Sequence, residues 1–206
     1  MLKVMGRRTS INVRKVLWTA GELGIPYERE DWGLPHRDPK TAEFLALNPN
    51  AQVPVIVDDG FVLSESSAII RYLCDRSGDT KLLPSDLRQR ALVGQWLSWQ
   101  ATELNAQWGY AVYALLRREK GFDDEQRIAQ SLTKWSGKMR IFEEQLGKTG
   151  AFVVGDFSLA DVSLGLSVRR WMAMPSDLPA LPNVRRYYDA LRSRPAGAEW
   201  MSDDYF

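Results

Sequence analysis

The chain has 206 residues, 45% of them apolar, with 27 basic and 26 acidic side chains and a net charge of +1. This balance gives no electrostatic reason to expect a nucleic acid or an anionic membrane as a partner. No stretch is long and apolar enough to span a membrane, and no signal peptide is visible after Met1. The single His and single Cys exclude an intrachain disulfide and argue against a zinc site, so we expect no metal and a reducing, cytoplasmic location.

The first part of the chain alternates strand and helix signals. In chain order the predicted elements are a strand at 2–5, a helix ending at 24–26, a strand at 27–31, a short helix at 41–47, two strands joined by Asp59-Gly60, and a helix from about Ser64 to Arg76. The first half forms a parallel crossover unit and the second an antiparallel pair, which predicts a mixed four-stranded sheet of thioredoxin-like type. Cys74 lies in an apolar run of the last helix, where we expect a buried, inert thiol. On the first helix, Arg14 and Lys15 could approach a ligand carboxylate or simply lie on the solvated polar face, and the sequence leaves both alternatives open.

The segment around the two paired strands has groups suited to a small zwitterionic peptide. Pro54 cannot donate to a strand ladder, and a cis bond after Val53 would leave the Val53 backbone free to pair with an extended ligand. Ser64 is predicted to cap the next helix, whose first amides attract an anion. A ligand carboxylate could bind these amides and the Ser66 hydroxyl while an ammonium pairs with Glu65. An ordinary hairpin and capped helix would explain the same spacing.

Strand signals largely disappear in the second part of the chain. A long helical stretch is predicted from about 86 to 118, a second from 123 to 146 with one apolar face, a third from Ser158 to about 174, and a last from 184 to 194. The Ser158-Leu159-Ala160-Asp161 run is a capping-box-like helix start, with Asp in place of Glu. The fold class is therefore α/β plus all-α: a thioredoxin-like domain at 1–78, a linker at 79–86 and an all-helical bundle at 87–206.

Three motifs resemble those of the cytosolic glutathione S-transferases. They are Asn48-Pro49 with Val53-Pro54 and then Glu65-Ser66, the Ser158 capping sequence, and Ser10-Ile11-Asn12 at the start of the first helix. The resemblance covers nearly the whole chain. Within the family, the chain is similar to bacterial serine-type members of theta, nu or beta-like character. It implies a thioredoxin-like domain that binds glutathione as co-substrate, an all-helical domain that carries the second substrate, and assembly as a homodimer.

The resemblance also implies roles for single residues in holding glutathione. The Val53 backbone is expected to pair with the cysteinyl unit beside a cis Pro54, and Glu65 with Ser66 to hold the γ-glutamyl end. Three further contacts with glutathione are implied, by Gln52, Lys40 and His36. For Lys40 and His36, a solvated loop side chain is the alternative interpretation.

The reaction requires a donor that stabilises the glutathione thiolate, because a thiol of pKa ~8.5 is only slightly ionised at neutral pH. Ser10 is the first candidate, since serine-type members place their activating hydroxyl at this point. Thr9 and Asn12 are the alternatives, and Ile11, where many relatives have Pro or Ser, leaves the loop register open. Ser10 could equally serve only as a helix cap. Because neither Tyr nor Cys lies near the first strand, tyrosine-type activation and chemistry through a protein mixed disulfide are disfavoured.

The pocket for a hydrophobic electrophile is expected between the two domains. Its predicted lining is aromatic and comprises Trp108, Tyr110, Tyr113 and Trp171. Core packing is the default for each of these side chains taken alone. The resemblance therefore implies a detoxifying glutathione S-transferase. The alternatives are a glutathione-dependent dehalogenase, isomerase or peroxidase with the same site, and a non-catalytic binding or regulatory protein of this fold.

Overall fold

A computed structural model describes residues 1–202; the last four residues of the predicted helical domain, 203–206, lie outside the described residues. The chain divides into two compact units, one spanning Met1–Leu83 and the other beginning at Pro84. Among the described helices, none has the length and apolar character needed to cross a membrane.

The first unit is built on a mixed four-stranded sheet. Its elements are β1 (Leu2–Met5), α1 (Ile11–Glu22), β2 (Tyr27–Glu30), α2 (Ala42–Leu45), β3 (Val55–Asp58), β4 (Phe61–Ser64) and α3 (Ser66–Ser77). The strand order is β2-β1-β3-β4, with β1 parallel to β2 and antiparallel to β3, and β3 antiparallel to β4. The predicted thioredoxin-like arrangement is confirmed.

The turn between β3 and β4 has the geometry that its sequence predicts. Asp59 and Gly60 both have positive φ, at 48° and 89°. Positive φ at both central residues is the type I′ turn, whose twist matches that of paired strands. The turn fixes the register in which Asp58 faces Phe61.

The start of α3 differs from the prediction. Ser64 is the last residue of β4, where it pairs with Val55, and it does not cap the helix. The N-cap is Glu65, with φ 69° and ψ 107° and no side-chain capping bond. Because the strand continues to Ser64, the chain must pass from strand to helix at one residue, and Glu65 takes the positive φ that this requires.

Two cations on α1 are buried. Arg14 and Lys15 are only 4% and 2% exposed, which contradicts the solvated polar face considered as one alternative for them. The Arg14 Nε donates to the Arg8 carbonyl oxygen at 2.9 Å. Cys74 is fully buried, as expected.

The second unit is helical throughout its regular elements. They are α4 (Leu87–Trp99), α5 (Asn105–Ala111), α6 (Glu125–Thr149), α7 (Leu159–Met172), α8 (Pro182–Arg192) and the short α9 (Pro195–Ala198). The predicted long helix from residue 86 is interrupted by two π-helical turns, Gln100–Leu104 and Val112–Leu116. Neither these turns nor α9 was predicted from the sequence.

The predicted capping box at the start of α7 is present. Asp161 Oδ2 accepts from the Ser158 backbone N–H and hydroxyl, both at 2.9 Å, and Oδ1 accepts from the Val153 N–H at 3.0 Å. Burial raises the pKa of Asp161 to about 6, against the opposing effect of these hydrogen bonds. The carboxyl group therefore joins the segment before α7 to its first turn inside the core of the second unit.

Candidate functional site

Three loop segments meet the first unit's sheet at the same end of its strands. Met5 faces Val55, and Val55 faces Ser64, so the three strands end in one row. Gly6, Pro54 and Glu65 follow or precede these residues directly. Neighbouring strands lie about 4.8 Å apart, so the three segments begin within about 10 Å of one another. The register alone therefore brings three segments close together: the loop that leads to Ser10, the Val53-Pro54 bond and the start of α3.

Gly6 lies against the Val53 segment. A Cβ placed on Gly6 would lie 3.2 Å from the Cβ of Val53 and would overlap Cγ2 of Val13 on α1. Only glycine fits this close approach without displacing a neighbour. The loop that leads to Ser10 and the segment that carries Val53 are thus in direct contact.

Asn48 organises the segment before Val53. Its side chain is 3% exposed; Nδ2 donates to the Gln52 carbonyl oxygen at 2.8 Å, and Oδ1 accepts from the Asn50 N–H at 3.1 Å. Its own carbonyl oxygen accepts from the Ala51 N–H at 3.0 Å. One buried amide therefore fixes the chain direction up to the residue that precedes Val53.

Val53 has a fixed side chain and free main-chain groups. The Val53-Pro54 bond is cis, as predicted, and the Val53 side chain packs against the core cluster of Met5, Trp32, Phe44 and Val55. No hydrogen bond joins the Val53 N–H or C=O to any residue within 1–202. These groups can pair with an extended peptide, the role predicted for them.

The start of α3 presents an acid and a hydroxyl side by side. Glu65 is exposed, and its carboxylate forms no ion pair with the described part of the chain, whereas Ser66 is 7% exposed. The first turn of this 12-residue helix has no acidic side chain. Its N-terminal amides therefore favour a carboxylate of a ligand, and Glu65 favours an ammonium.

Ser10 is the N-cap of α1, but its hydroxyl makes no capping bond. Its backbone is held on both sides: the Ser10 N–H donates to the Arg7 carbonyl oxygen at 3.1 Å, and its own carbonyl oxygen accepts from the Arg14 N–H at 3.0 Å. Thr9 is exposed, and Asn12 is half-buried in the first helical turn. The simple capping role considered for the Ser10 hydroxyl is therefore not what this structure shows.

The remaining residues predicted to contact glutathione are exposed. Gln52, Lys40 and His36 have solvent-facing side chains, and no hydrogen bond between described residues joins any of these side chains to Val53 or Glu65. Arg7 connects the loop of His36 and Lys40 to the segment after β1, because its guanidinium donates to the Leu34 carbonyl oxygen. The Leu34-Pro35 bond in this loop is also cis.

The four predicted pocket aromatics have different surroundings. Tyr110 and Tyr113 both pack on Phe122, with ring centroids 5.1 Å and 4.8 Å away. Trp171 is 3% exposed and meets Trp135 edge-on at 5.0 Å. Trp108 is half-buried. The tyrosines thus brace the loop after the second π turn, and Trp108 keeps more accessible ring surface than Trp171.

Sequence reasoning missed Gly6 and Asn48 as supports of the site. Gly6 directly follows a strand, and a glycine at such a position is a signal of close backbone approach. Asn48 opens the Asn48-Pro49-Asn50 run, and an asparagine that bonds the amide two residues on is a recognised turn device. Gly6 lies against Val53, and Asn48 fixes the segment that precedes it, so both support a residue that is predicted to pair with the ligand.

The arrangement suits a peptide with an ammonium, a carboxylate and a thiol. Glu65 and the start of α3 offer opposite charges to one end, the Val53 backbone offers a donor and an acceptor to the middle, and Ser10 offers a hydroxyl near a helix N-terminus. A hydroxyl donor and a helix N-terminus both favour a thiolate over a thiol.

Comparisons with known proteins point to one family. Residues 9–76 match the family model of the glutathione S-transferase N-terminal domain. The chain is 30% identical to glutathione S-transferase GstB of Escherichia coli strain K12, over 95% of each chain. A theta class glutathione S-transferase from Xanthomonas axonopodis pv. citri, crystallised with glutathione bound, is 32% identical with a TM-score of 0.93, covering 100% of this chain and 99% of that one. A glutathione S-transferase from Pseudomonas fluorescens Pf-5 is 27% identical with a TM-score of 0.86, over 98% of this chain and 99% of that one.

Proposed function

This chain belongs to the glutathione S-transferase family, which makes it an enzyme of the transferase class, and from that premise we propose that it joins the glutathione thiolate to a hydrophobic electrophile. The observation that carries the proposal is the Ser10 hydroxyl, which makes no capping bond at the start of α1 and lies at the end of the loop whose Gly6 approaches Val53. Glutathione is the co-substrate, and the reaction draws on no metal.

The proposed binding mode follows the free polar groups. The Val53 N–H and C=O pair with the cysteinyl unit, Glu65 pairs with the γ-glutamyl ammonium, and Ser66 with the α3 amides holds the γ-glutamyl carboxylate. The exposure of Glu65 and its lack of an ion-pair partner within residues 1–202 support this assignment. For the glycyl end we propose Lys40, His36 and Gln52, because they are exposed on loops that flank this edge of the sheet.

In the proposed mechanism Ser10 donates a hydrogen bond to the glutathione sulfur. This bond stabilises the thiolate and lowers the pKa of the bound thiol, so more of it is ionised at neutral pH. The thiolate sulfur then forms a carbon–sulfur bond with the electrophile. In a substitution the electron pair of the broken bond departs with the leaving group; in an addition the π pair of the double bond moves to its activating group, and solvent supplies the proton. Asn12 and Thr9 are the secondary candidates for the donor.

Replacing Ser10 by Ala tests this mechanism. We expect kcat/KM for 1-chloro-2,4-dinitrobenzene to fall at pH 6.5 by about 10- to 100-fold and much less at pH 9, because one donor to an anion is worth about 1.5–3 kcal/mol. The pH–rate profile and the ultraviolet absorbance of bound thiolate measure the shift. Ser10→Thr, which keeps a hydroxyl, is the matched control.

Unchanged pH–rate profiles in the alanine variants would contradict the mechanism. If Ser10→Ala, Thr9→Ala and Asn12→Ala each keep the wild-type profile, none of these side chains activates the thiol.

A Glu65→Ala variant separates binding from activation, since it should weaken glutathione affinity without moving the pKa of the bound thiol. Absence of glutathione binding to the wild type at millimolar concentration in calorimetry would favour a non-catalytic binding protein.

Assembly and cellular role are further parts of the proposal. We propose a homodimer whose interface includes α3 and α4, supported by exposed apolar side chains next to or on these helices: Phe61 at 49%, Leu87 at 80% and Leu92 at 41%. Sedimentation at micromolar concentration tests this. A cytoplasmic detoxifying role is proposed from the family and from the single buried Cys74, which suits a reducing compartment.

A further inference from the structure

Arg7 forms three hydrogen bonds that connect two separate segments of the first unit. Its N–H donates to the Trp32 carbonyl oxygen at 2.8 Å, and its carbonyl oxygen accepts from the Ser10 N–H at 3.1 Å. Its guanidinium Nη1 donates to the Leu34 carbonyl oxygen. This one residue therefore joins the loop at 6–10, which ends at the N-cap of α1, to the chain that follows β2.

The loop at 6–10 is also bonded to β2 itself. The Gly6 N–H donates to the Glu30 carbonyl oxygen at 2.8 Å, and the Gly6 carbonyl oxygen accepts from Arg29 Nη1 at 3.1 Å. These bonds hold the main chain of the loop at the strand. The Arg7 guanidinium extends the connection past the end of the strand.

The Arg7 side chain runs along the start of the loop at 33–40. It is half-buried, and a Cβ placed on Gly33 would lie 3.4 Å from Arg7 Cδ and 3.5 Å from its Nε. The stem therefore passes close to Gly33 before the guanidinium bonds to the next residue, Leu34. Two neighbouring residues of this loop thus direct the arginine.

The loop at 33–40 is closed by bonds of its own. The Gly33 N–H donates to the Arg37 carbonyl oxygen at 2.8 Å, and the His36 N–H donates to the Gly33 carbonyl oxygen at 3.0 Å. The Arg37 guanidinium pairs with the Glu30 carboxylate at 3.1 Å. A displacement at the start of this loop is therefore carried to His36.

We propose that Arg7 is a positioning residue that aligns the loop at 6–10 with the loop at 33–40 around glutathione. This inference rests on the proposed function, in which Ser10 donates to the sulfur and Lys40 with His36 meets the glycyl end. Hydrogen bonds weaken steeply when their geometry is distorted, so a shift of either loop weakens its contact with the ligand. Arg7 acts through these two loops and not on the sulfur itself.

Arg7→Met tests the effect on the thiol, because it keeps a long stem and removes the guanidinium. We expect the pKa of the bound thiol to rise, so that the thiolate fraction below this pKa falls about 3- to 10-fold, part of the effect of one donor to an anion. The ultraviolet absorbance of the thiolate, followed across pH, measures the change without any electrophile. Arg140→Met, which removes an exposed guanidinium from α6, is the matched control.

A Ser10→Ala background separates positioning from a direct effect of charge. In this background Arg7→Met should change the thiolate fraction by less than two-fold, because the side chain through which it acts is gone. An equal change in both backgrounds would mean that the guanidinium charge acts on the sulfur directly, which overturns the positioning role.

Ligands with and without the glycyl residue test the loop at 33–40. S-methylglutathione and S-methyl-γ-glutamylcysteine have no ionisable thiol, so their affinities do not report the thiol pKa. In calorimetry, Arg7→Met should weaken the first ligand about 3- to 10-fold, the effect of about one hydrogen bond, and the second by less than two-fold. Equal losses for both ligands indicate a general defect and overturn the proposal, as does the absence of any loss.

Failure of the positioning role differs from failure of the proposed function. If Ser10→Ala leaves the thiolate fraction unchanged, the proposed mechanism and this inference fall together. If Ser10→Ala lowers the fraction and Arg7→Met behaves like Arg140→Met, only the positioning role is overturned. If Arg7→Met does not fold, Arg7→Gln, whose shorter polar side chain also lacks the guanidinium, replaces it in each comparison.

Discussion

At the residue scale, Glu65 combines an unfavourable backbone with a proposed binding role. Its φ of 69° lies where a side chain with a Cβ is strained, and such residues cost of order 1–3 kcal/mol. The strand register holds Ser64 opposite Val55, and Glu65 is the N-cap of α3, so the conformation is imposed from both sides. This conformation places Glu65, whose side chain is exposed, at the end of the sheet where Val53 lies.

Glycine at this position should separate stability from binding. We expect Glu65→Gly to unfold in urea with a free energy about 1 kcal/mol above that of Glu65→Ala, since glycine adopts positive φ without a Cβ clash and alanine does not. Both variants should lose glutathione affinity to the same extent in calorimetry. Equal stability of the two variants would show that the positive φ carries no cost.

At the scale of elements, the loop from Asn48 to Pro54 depends on one buried amide. Asn48→Ala removes the donor to the Gln52 carbonyl and the acceptor of the Asn50 N–H, two part-buried hydrogen bonds that each contribute about 0.5–1.5 kcal/mol. We expect a less stable protein whose glutathione affinity falls several-fold, because Val53 is no longer held in place. Urea unfolding and calorimetry measure the two effects.

The neighbouring asparagine supplies the control for this loop. Asn50 is exposed, and its backbone rather than its side chain takes part in the loop bonds, so Asn50→Ala should leave stability and affinity near the wild-type values. An Asn48→Ala variant with unchanged glutathione affinity would mean that cis Pro54 and the core contacts of Val53 suffice to hold the site.

The order of elements could be predicted from the sequence because periodicity and turn residues are local signals. The Asp59-Gly60 turn and the Ser158 capping box are examples, since each depends on neighbouring residues. The π turn at Gln100 could not be predicted, because Gln-Ala-Thr-Glu-Leu is also an ordinary helical sequence. The positive φ of Glu65 and the burial of Lys15 depend on packing by distant residues, which periodicity does not report.

At the scale of the whole molecule, carboxyl groups in the two units respond to pH in opposite directions. In the first unit, hydrogen bonds from Lys3 and Arg29 lower the pKa values of Glu30 and Asp31 respectively, so their contribution to stability is lost as the pH falls. In the second unit, burial raises the pKa of Asp161 to about 6. Its contribution is therefore fully present below the unfolded pKa of about 3.9 and is lost as the pH rises through about 6.

Asp161→Asn isolates the second effect, because the variant keeps every other titrating group. A difference of about two pKa units corresponds to about 3 kcal/mol over the whole titration, so the unfolding free energy of the wild type minus that of the variant should fall by about 2 kcal/mol between pH 4 and pH 7. Urea unfolding of both proteins across this range measures it, with exposed Asp156→Asn as the control. The variant also loses an acceptor for the Ser158 or Val153 N–H, but that loss shifts the difference at every pH and leaves its slope intact. A difference that stays level or grows with pH would mean that the capping hydrogen bonds outweigh burial and that Asp161 is ionised in the folded protein throughout this range.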